Sequence, residues 1–188
     1  GKIPYRPEAL SRRQENFKNR STADPQTKCF QAGVPRATYV PSPFQIFQTT
    51  DRVIVVYQDV HAYRGVFMDG RPHYEGIEFY MGDSRGRWEG ESLVVDVKNL
   101  HADTWLDMAG NYHSDALRVV ERYTRTGPAS MTYEATIEDP KVFTRSWKIR
   151  MPLYRRVEPG VQILDYQCYA FEENTRGKTV PLFRQSAK

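Results

Sequence analysis

The chain has 188 residues, 39% hydrophobic and 27% charged, with a formal net charge of +4. That length and balance suit one soluble globular domain with a single sizeable core. No stretch approaches the roughly 18 uninterrupted apolar residues with which a helix spans a bilayer, so an integral membrane protein is not expected.

Charge is unevenly placed. Residues 1–36 hold eight Lys and Arg against three acids, whereas the rest balances 19 basic residues with 20 acidic ones. A basic arm on a neutral body argues against a nucleic-acid surface and for contact with an acidic surface, or simply for solubility. The chain starts at Gly1 with neither initiator Met nor signal peptide, so it is expected to be a mature form whose targeting segment has been removed, or a version made without that segment.

The first predicted element is a short helix from Pro7 to Phe17. Pro sits at a first-turn position, good helix formers follow, and Leu10 and Phe17 lie seven apart on a face expected to pack on the body. Pro35, Pro41 and Pro43 predict an extended, irregular run over residues 30 to 45. Residues 1–43 thus form an N-terminal arm, 44–171 a β domain and 172–188 a polar tail.

Within the β domain, Phe44 to Gln48 and Arg52 to Gln58 flank a Thr-Thr-Asp turn as a hairpin, and Ala62 to Met68 gives a third strand ending at Asp69-Gly70. Arg87 to Glu89 and Leu93 to Val97 flank Gly90-Glu91-Ser92 as a second hairpin. The clearest period-2 patterns come later. Met131, Tyr133, Ala135 and Ile137 alternate with polar residues, as do Phe143, Trp147, Ile149 and Met151, with Arg145 in the apolar phase of the second run. Eight or nine strands joined by short turns predict a mostly β fold, an antiparallel meander curling into a barrel or a sandwich.

Two cysteines, Cys29 and Cys168, form neither a redox pair nor a metal knuckle. They make either one long-range disulfide or two buried thiols. A disulfide closing so long a loop would stabilise the fold by on the order of 5 kcal/mol in the chain-entropy account. It would fasten the arm to the last strand and leave residues 1–28 free to reach a partner.

The run from Met81-Gly82-Asp83-Ser84-Arg85-Gly86-Arg87-Trp88-Glu89-Gly90-Glu91-Ser92 to Asp96, with Thr104-Trp105-Leu106-Asp107, His113-Ser114-Asp115-Ala116-Leu117 and Tyr133-Glu134-Ala135-Thr136-Ile137-Glu138-Asp139-Pro140, resembles a large group of exported bacterial proteins frequent in acidobacteria. The resemblance covers most of the chain, including Asp69-Gly70-Arg71-Pro72-His73 and both cysteines. It implies export to the periplasm or medium and a paired disulfide, and brings no established activity. Gly86-Arg87-Trp88 also resembles the Gly-x-Trp of lipocalin-type (calycin) barrels.

For chemistry, His101-Ala102-Asp103 and His113-Ser114-Asp115 share a His-x-Asp spacing. On a strand that spacing puts imidazole and carboxylate on one face, so His113 is a candidate base with Asp115 as its orienter. The alternative is that these residues hydrogen-bond their own turns. Asp69, Arg71 and His73 crowd a turn after a strand. Arg71 either pairs with Asp69 there, or joins His73 on an anionic substrate. Arg145, Trp88, Trp105 and Asp69 are candidate ligand contacts, Arg145 because an inward cation marks either a polar cavity or a bulge that turns it out. His61, His73, His101 and His113 are the weak candidates for a metal, and no cofactor is expected.

Three functions follow. The first is a non-catalytic exported module that forms homo-oligomers, or binds another exported protein, through its termini. The second is a hydrolase or lyase using His113 and Asp115 with Arg71 or His73. The third is a barrel that binds a small molecule or sugar.

Overall fold

A computed structural model describes residues 2–165 and Cys168. Eight strands form one sheet in chain order: β1 (Phe44–Gln48), β2 (Arg52–Tyr57), β3 (Tyr63–Phe67), β4 (Asp83–Glu89), β5 (Ser92–Lys98), β6 (Arg118–Gly127), β7 (Ser130–Glu138) and β8 (Trp147–Tyr154). The sheet curls into a half-barrel, as the mostly β expectation required, but among the described residues β1 and β8 remain its two edges instead of pairing to close it.

All neighbours are antiparallel except β3 and β4, which run parallel and share only the pairs Val66–Ser84 and Phe67–Arg85. This short seam joins a three-strand meander to a five-strand one. Parallel neighbours need a crossover instead of a tight turn. Residues 68–82 supply it as a strap. Gly86 permits the close fit at the seam, since a Cβ there would lie 2.7 Å from Val66 Cγ1 and collide with Met68.

Alternation places Val53, Val55 and Tyr57 of β2, Val66 of β3, Val95 and Val97 of β5, Val119 of β6 and Tyr133, Ala135 and Ile137 of β7 on the concave face, all buried. Each large aliphatic side chain sealed there contributes about 1.5–3 kcal/mol. The outward positions between them carry Asp96 on β5 and Glu134 and Thr136 on β7, whereas β2 presents Ile54 and Val56 there.

The N-terminal helix forms as α1 (Leu10–Lys18), followed by the single turns α2 (Arg20–Ala23) and α3 (Arg36–Tyr39). The expected apolar contact of α1 does not form: Leu10 and Phe17 are 39% and 42% exposed. The helix docks instead where its backbone crosses Gly110, so closely that a Cβ would lie 2.6 Å from the Phe17 nitrogen, and Arg12 covers the Tyr112 ring at 4.5 Å. That approach fixes the helix with Leu10 and Phe17 turned outward.

Nor is the run from 30 to 45 wholly extended. Arg36 donates to both oxygens of Asp24 at 2.9 and 2.7 Å, a buried pair that holds α3 in the interior. The Val34–Pro35 peptide is cis.

Cys29 and Cys168 are bonded across 139 positions with their Cα atoms 5.7 Å apart. The expectation that Cys168 sits in the last strand is corrected, because β8 ends at Tyr154. The arm before Cys29 is not free either. Tyr5 bridges Phe143, the Arg6 amide donates to the Val142 carbonyl at 2.9 Å, and the Thr144 amide donates to the Pro4 carbonyl at 2.8 Å. The tail over 172–188 lies outside the described residues.

Candidate functional site

Of the titratable groups singled out in the sequence, Asp69, Arg71 and His73 lie together on the strap. The parallel seam lays the strap across the convex face of β4 and β5. There His73 Nδ1 meets Asp83 Oδ2 at 3.0 Å, and its Nε2 faces Asp96 Oδ2 at 3.5 Å. Asp83 also accepts from the Tyr74 amide at 2.9 Å and pairs with Arg85, whose Nε donates to the Pro72 carbonyl at 2.9 Å. Asp96 accepts from Arg118 at 2.8 and 3.1 Å. Burial pushes the Asp96 carboxyl up, but the hydrogen bond and charge of Arg118, with His73 behind them, outweigh it and hold it below the ordinary carboxylate range.

Arg71 takes the local role: it grips Asp69 through its Nε at 2.9 and 2.8 Å, an exposed pair within one turn. Its guanidinium also lies 4.3 Å from the Phe67 ring, flanked by those of Arg52 and Arg85, each at 5.0 Å. Asp83, Arg85 and Asp96 complete this cluster. All three fall inside the motif that carried the family resemblance, and none stood out as a site residue.

A second polar cluster occupies the concave side of the same seam. Arg64 on β3 pairs with Glu121 on β6 and donates to Ser84 Oγ on β4 at 2.8 Å. Glu121 Oε1 accepts from Tyr133 at 2.7 Å and from Tyr123 at 3.0 Å. Burial, followed by the Glu121 charge, pushes both phenols well above their ordinary range, so they stay protonated donors. The centre of the half-barrel is therefore filled by a satisfied ion-pair network where a ligand could have sat.

The proposed His113–Asp115 pair is not brought together. His113 is 1% exposed and joins Thr104 Oγ1 through Nε2 at 2.7 Å and the Ser114 carbonyl through Nδ1 at 2.8 Å. Burial pushes its pKa down. Asp115 faces outward to Lys141 at 2.7 Å. The segment is a turn capped by Asp139, which accepts from the Ser114 amide at 2.6 Å, so strand geometry never applies.

The remaining candidates are dispersed. His101 stacks on Tyr80 at 4.7 Å, and His61 meets Asp165 at 2.7 Å. Among the described residues no group of three or more His, Cys, Asp or Glu is arranged to hold a metal. Arg145 does not enter the interior. Residues 139–146 turn before β8 starts at Trp147, and Arg145 is exposed. Trp105 is a core residue, 7% exposed and bridged to Tyr112, while Trp88 lies 53% exposed at the end of β4. A half-open, mostly apolar cleft of about 410 Å³ lies between Tyr39, Leu106 and the β8 residues Trp147 and Ile149. A polar groove of about 370 Å³ touches Asp115 but not His113.

Fold and site together define a disulfide-closed β half-barrel with a clamped crossover strap. No family model, curated protein or solved structure matches the chain. No described helix is long and apolar enough to cross a membrane.

Proposed function

We propose that the protein is an exported, non-catalytic module that self-associates, and that the contact is the β1 edge of its sheet, not the N-terminal arm. The carrying observation is the contrast between the two edges. β8 has the protections of a monomeric edge, with Lys148 and Arg150 along it and Pro152 inside it. β1 reads Phe-Gln-Ile-Phe-Gln, without charge or proline, and leaves Ile46 and Phe47 40% and 46% exposed.

Hydrogen bonding through Thr49 to Arg52 and from Gln58 to Pro43 fixes the ladder phase, which turns the main-chain groups of Phe44, Ile46 and Gln48 to the outer side. A second copy fits that edge. Antiparallel pairing about Ile46 sets no like charges opposite one another and makes a self-complementary two-fold contact, whereas two β8 edges would oppose Lys148 and Arg150. Export agrees with the disulfide, which persists in oxidising compartments.

Sedimentation velocity tests this. The wild-type chain is expected to sediment as a dimer. Ile46→Lys, which opposes two cations across the axis, and Ile46→Pro, which removes an outward N–H, should each weaken the dimer roughly 100-fold. Lys148→Glu should leave it unchanged. A monomeric wild type, or a dimer indifferent to Ile46, would sink the reading.

A further inference from the structure

The strap, with Phe30 beside it, carries a second surface that lies apart from the sheet edge and meets the clamp at Tyr74, whose amide Asp83 accepts and whose ring Arg85 flanks at 5.2 Å. Phe30, Tyr74, Ile77 and Phe79 are 43%, 45%, 50% and 37% exposed. Their rings form two groups joined at the Phe79–Tyr80 peptide. Phe30, Tyr80 and His101 stack nearly parallel at 5.4 and 4.7 Å, and Tyr74 meets Phe79 at 6.0 Å. Isolated apolar side chains are ordinary on a surface, but a contiguous aromatic patch marks a contact.

The patch is pre-positioned. Asp83 accepts from the Tyr74 amide, Asn99 Nδ2 donates to the Tyr74 carbonyl at 2.6 Å, and the His101 amide donates to the Phe79 carbonyl at 3.0 Å. Rings held this way lose little freedom when something settles on them.

The chemistry at the border selects the partner. Glu75 and Glu78 are exposed on the strap and Asp103 lies beside His101, so three carboxylates border the rings. None of the three pairs with Lys or Arg among the described residues. An apolar protein face would strip water from these acids without replacing it, and an anionic polymer would be repelled by them, because the arginines nearest the rings, Arg71 and Arg85, the latter 5.2 Å from the Tyr74 ring, are already neutralised by Asp69 and Asp83. A chain of neutral sugars satisfies both parts: its C–H faces lie on the rings, while its hydroxyls donate to the carboxylates and exchange hydrogen bonds with the Tyr74 and Tyr80 phenols.

We propose that the strap surface around Phe30, Tyr74 and Tyr80 is a binding platform for a neutral polysaccharide. It is independent of the β1 edge, so an Ile46→Lys monomer retains it.

Native electrophoresis of the full chain in gels containing soluble hydroxyethyl cellulose or laminarin provides the test, with alginate as the anionic counterpart. Wild type is expected to be retarded by at least one neutral polymer and not by alginate. Phe30→Ala and Tyr74→Ala, both at exposed positions and checked for unchanged thermal unfolding, should each lower the affinity roughly tenfold. Trp88→Ala, an exposed aromatic away from the strap, should not. Absence of retardation in both neutral polymers, equal retardation in alginate, or retardation that survives both strap substitutions would overturn the platform.

Discussion

The seam between β3 and β4 carries a cluster of carboxylates with cationic partners on each of its two sides, Arg64 on Glu121 inside and His73 on Asp83 and Asp96 outside, in opposite surroundings. On the concave side Arg64 and Glu121 have side chains 1% and 0% exposed, and two phenols and a serine close the network. On the convex side Asp83 is buried, but its partner His73 is 17% exposed and Asp96 18%. Two parallel backbone pairs cannot weld two meanders by themselves. The inner cluster joins β3, β4 and β6 directly, and the outer one fastens the strap that makes the parallel arrangement possible. Burial makes the first costly to break, while partial exposure makes the second responsive to the solvent.

The strongest way to break this contrast is Glu121→Ala. It abandons the Arg64 guanidinium in a sealed interior, which costs ~3–5 kcal/mol. For a chain of this size the melting temperature should fall by on the order of 10 °C. Replacing both partners, Arg64→Met with Glu121→Leu, should cost less than the single change, because no charge is then stranded. A loss below about 1 kcal/mol for Glu121→Ala in urea titration would show that the seam does not depend on its inner bridge.

Asp83→Asn sharpens the other side. Asp83 is the shared acceptor of His73, Tyr74 and Arg85, and the neutral amide holds them less strongly, at a cost of about 1–2 kcal/mol. Its effect should be local. Amide exchange at Tyr74 and its neighbours on the strap should accelerate while β5 to β7 stay protected, whereas Glu121→Ala should speed exchange throughout. Uniform acceleration in Asp83→Asn would erase the distinction between the two clusters.

Much of the sheet was legible because its strands alternate. Tyr133, Ala135 and Ile137 mark the buried phase of β7 without ambiguity. β6 escaped for a physical reason: its inward phase reads Val119, Glu121, Tyr123, so the residue that bridges the seam breaks the apolar period that would have revealed the strand. The parallel seam was equally hidden, since it rests on two residue pairs and an irregular crossover. At the site, Asp69, Arg71 and His73 announced themselves as titratable groups in one turn. The partners of His73, Asp83 and Asp96, become its neighbours only once the strap folds back, which no local spacing encodes. His113 and Asp115 failed for the converse reason. Their spacing suits a strand, and Asp139 makes the segment a turn.

The smallest expected effect is the dependence of the outer cluster on pH. Asp96 is held below its ordinary pKa in the folded state. The stability it adds is therefore present above the unfolded carboxylate value of about 4 and is lost as pH falls through its lower folded value. His113 supplies an earlier background. Its buried ring has a lowered pKa and must gain a proton on unfolding, so stability starts to decline once pH drops below about 6.5. Urea midpoints between neutral pH and acid should thus show two segments. Asp96→Asn should reduce the slope of the lower one only, leaving Arg118 without its anionic partner and His73 with Asp83 alone at every pH, while the other carboxylates held low, among them Glu89 and Glu134, keep part of that slope; His113→Asn should flatten only the upper one. If the lower segment keeps its slope in Asp96→Asn, the strap is held by packing and main-chain bonds, and the outer bridge is not the solvent-responsive one.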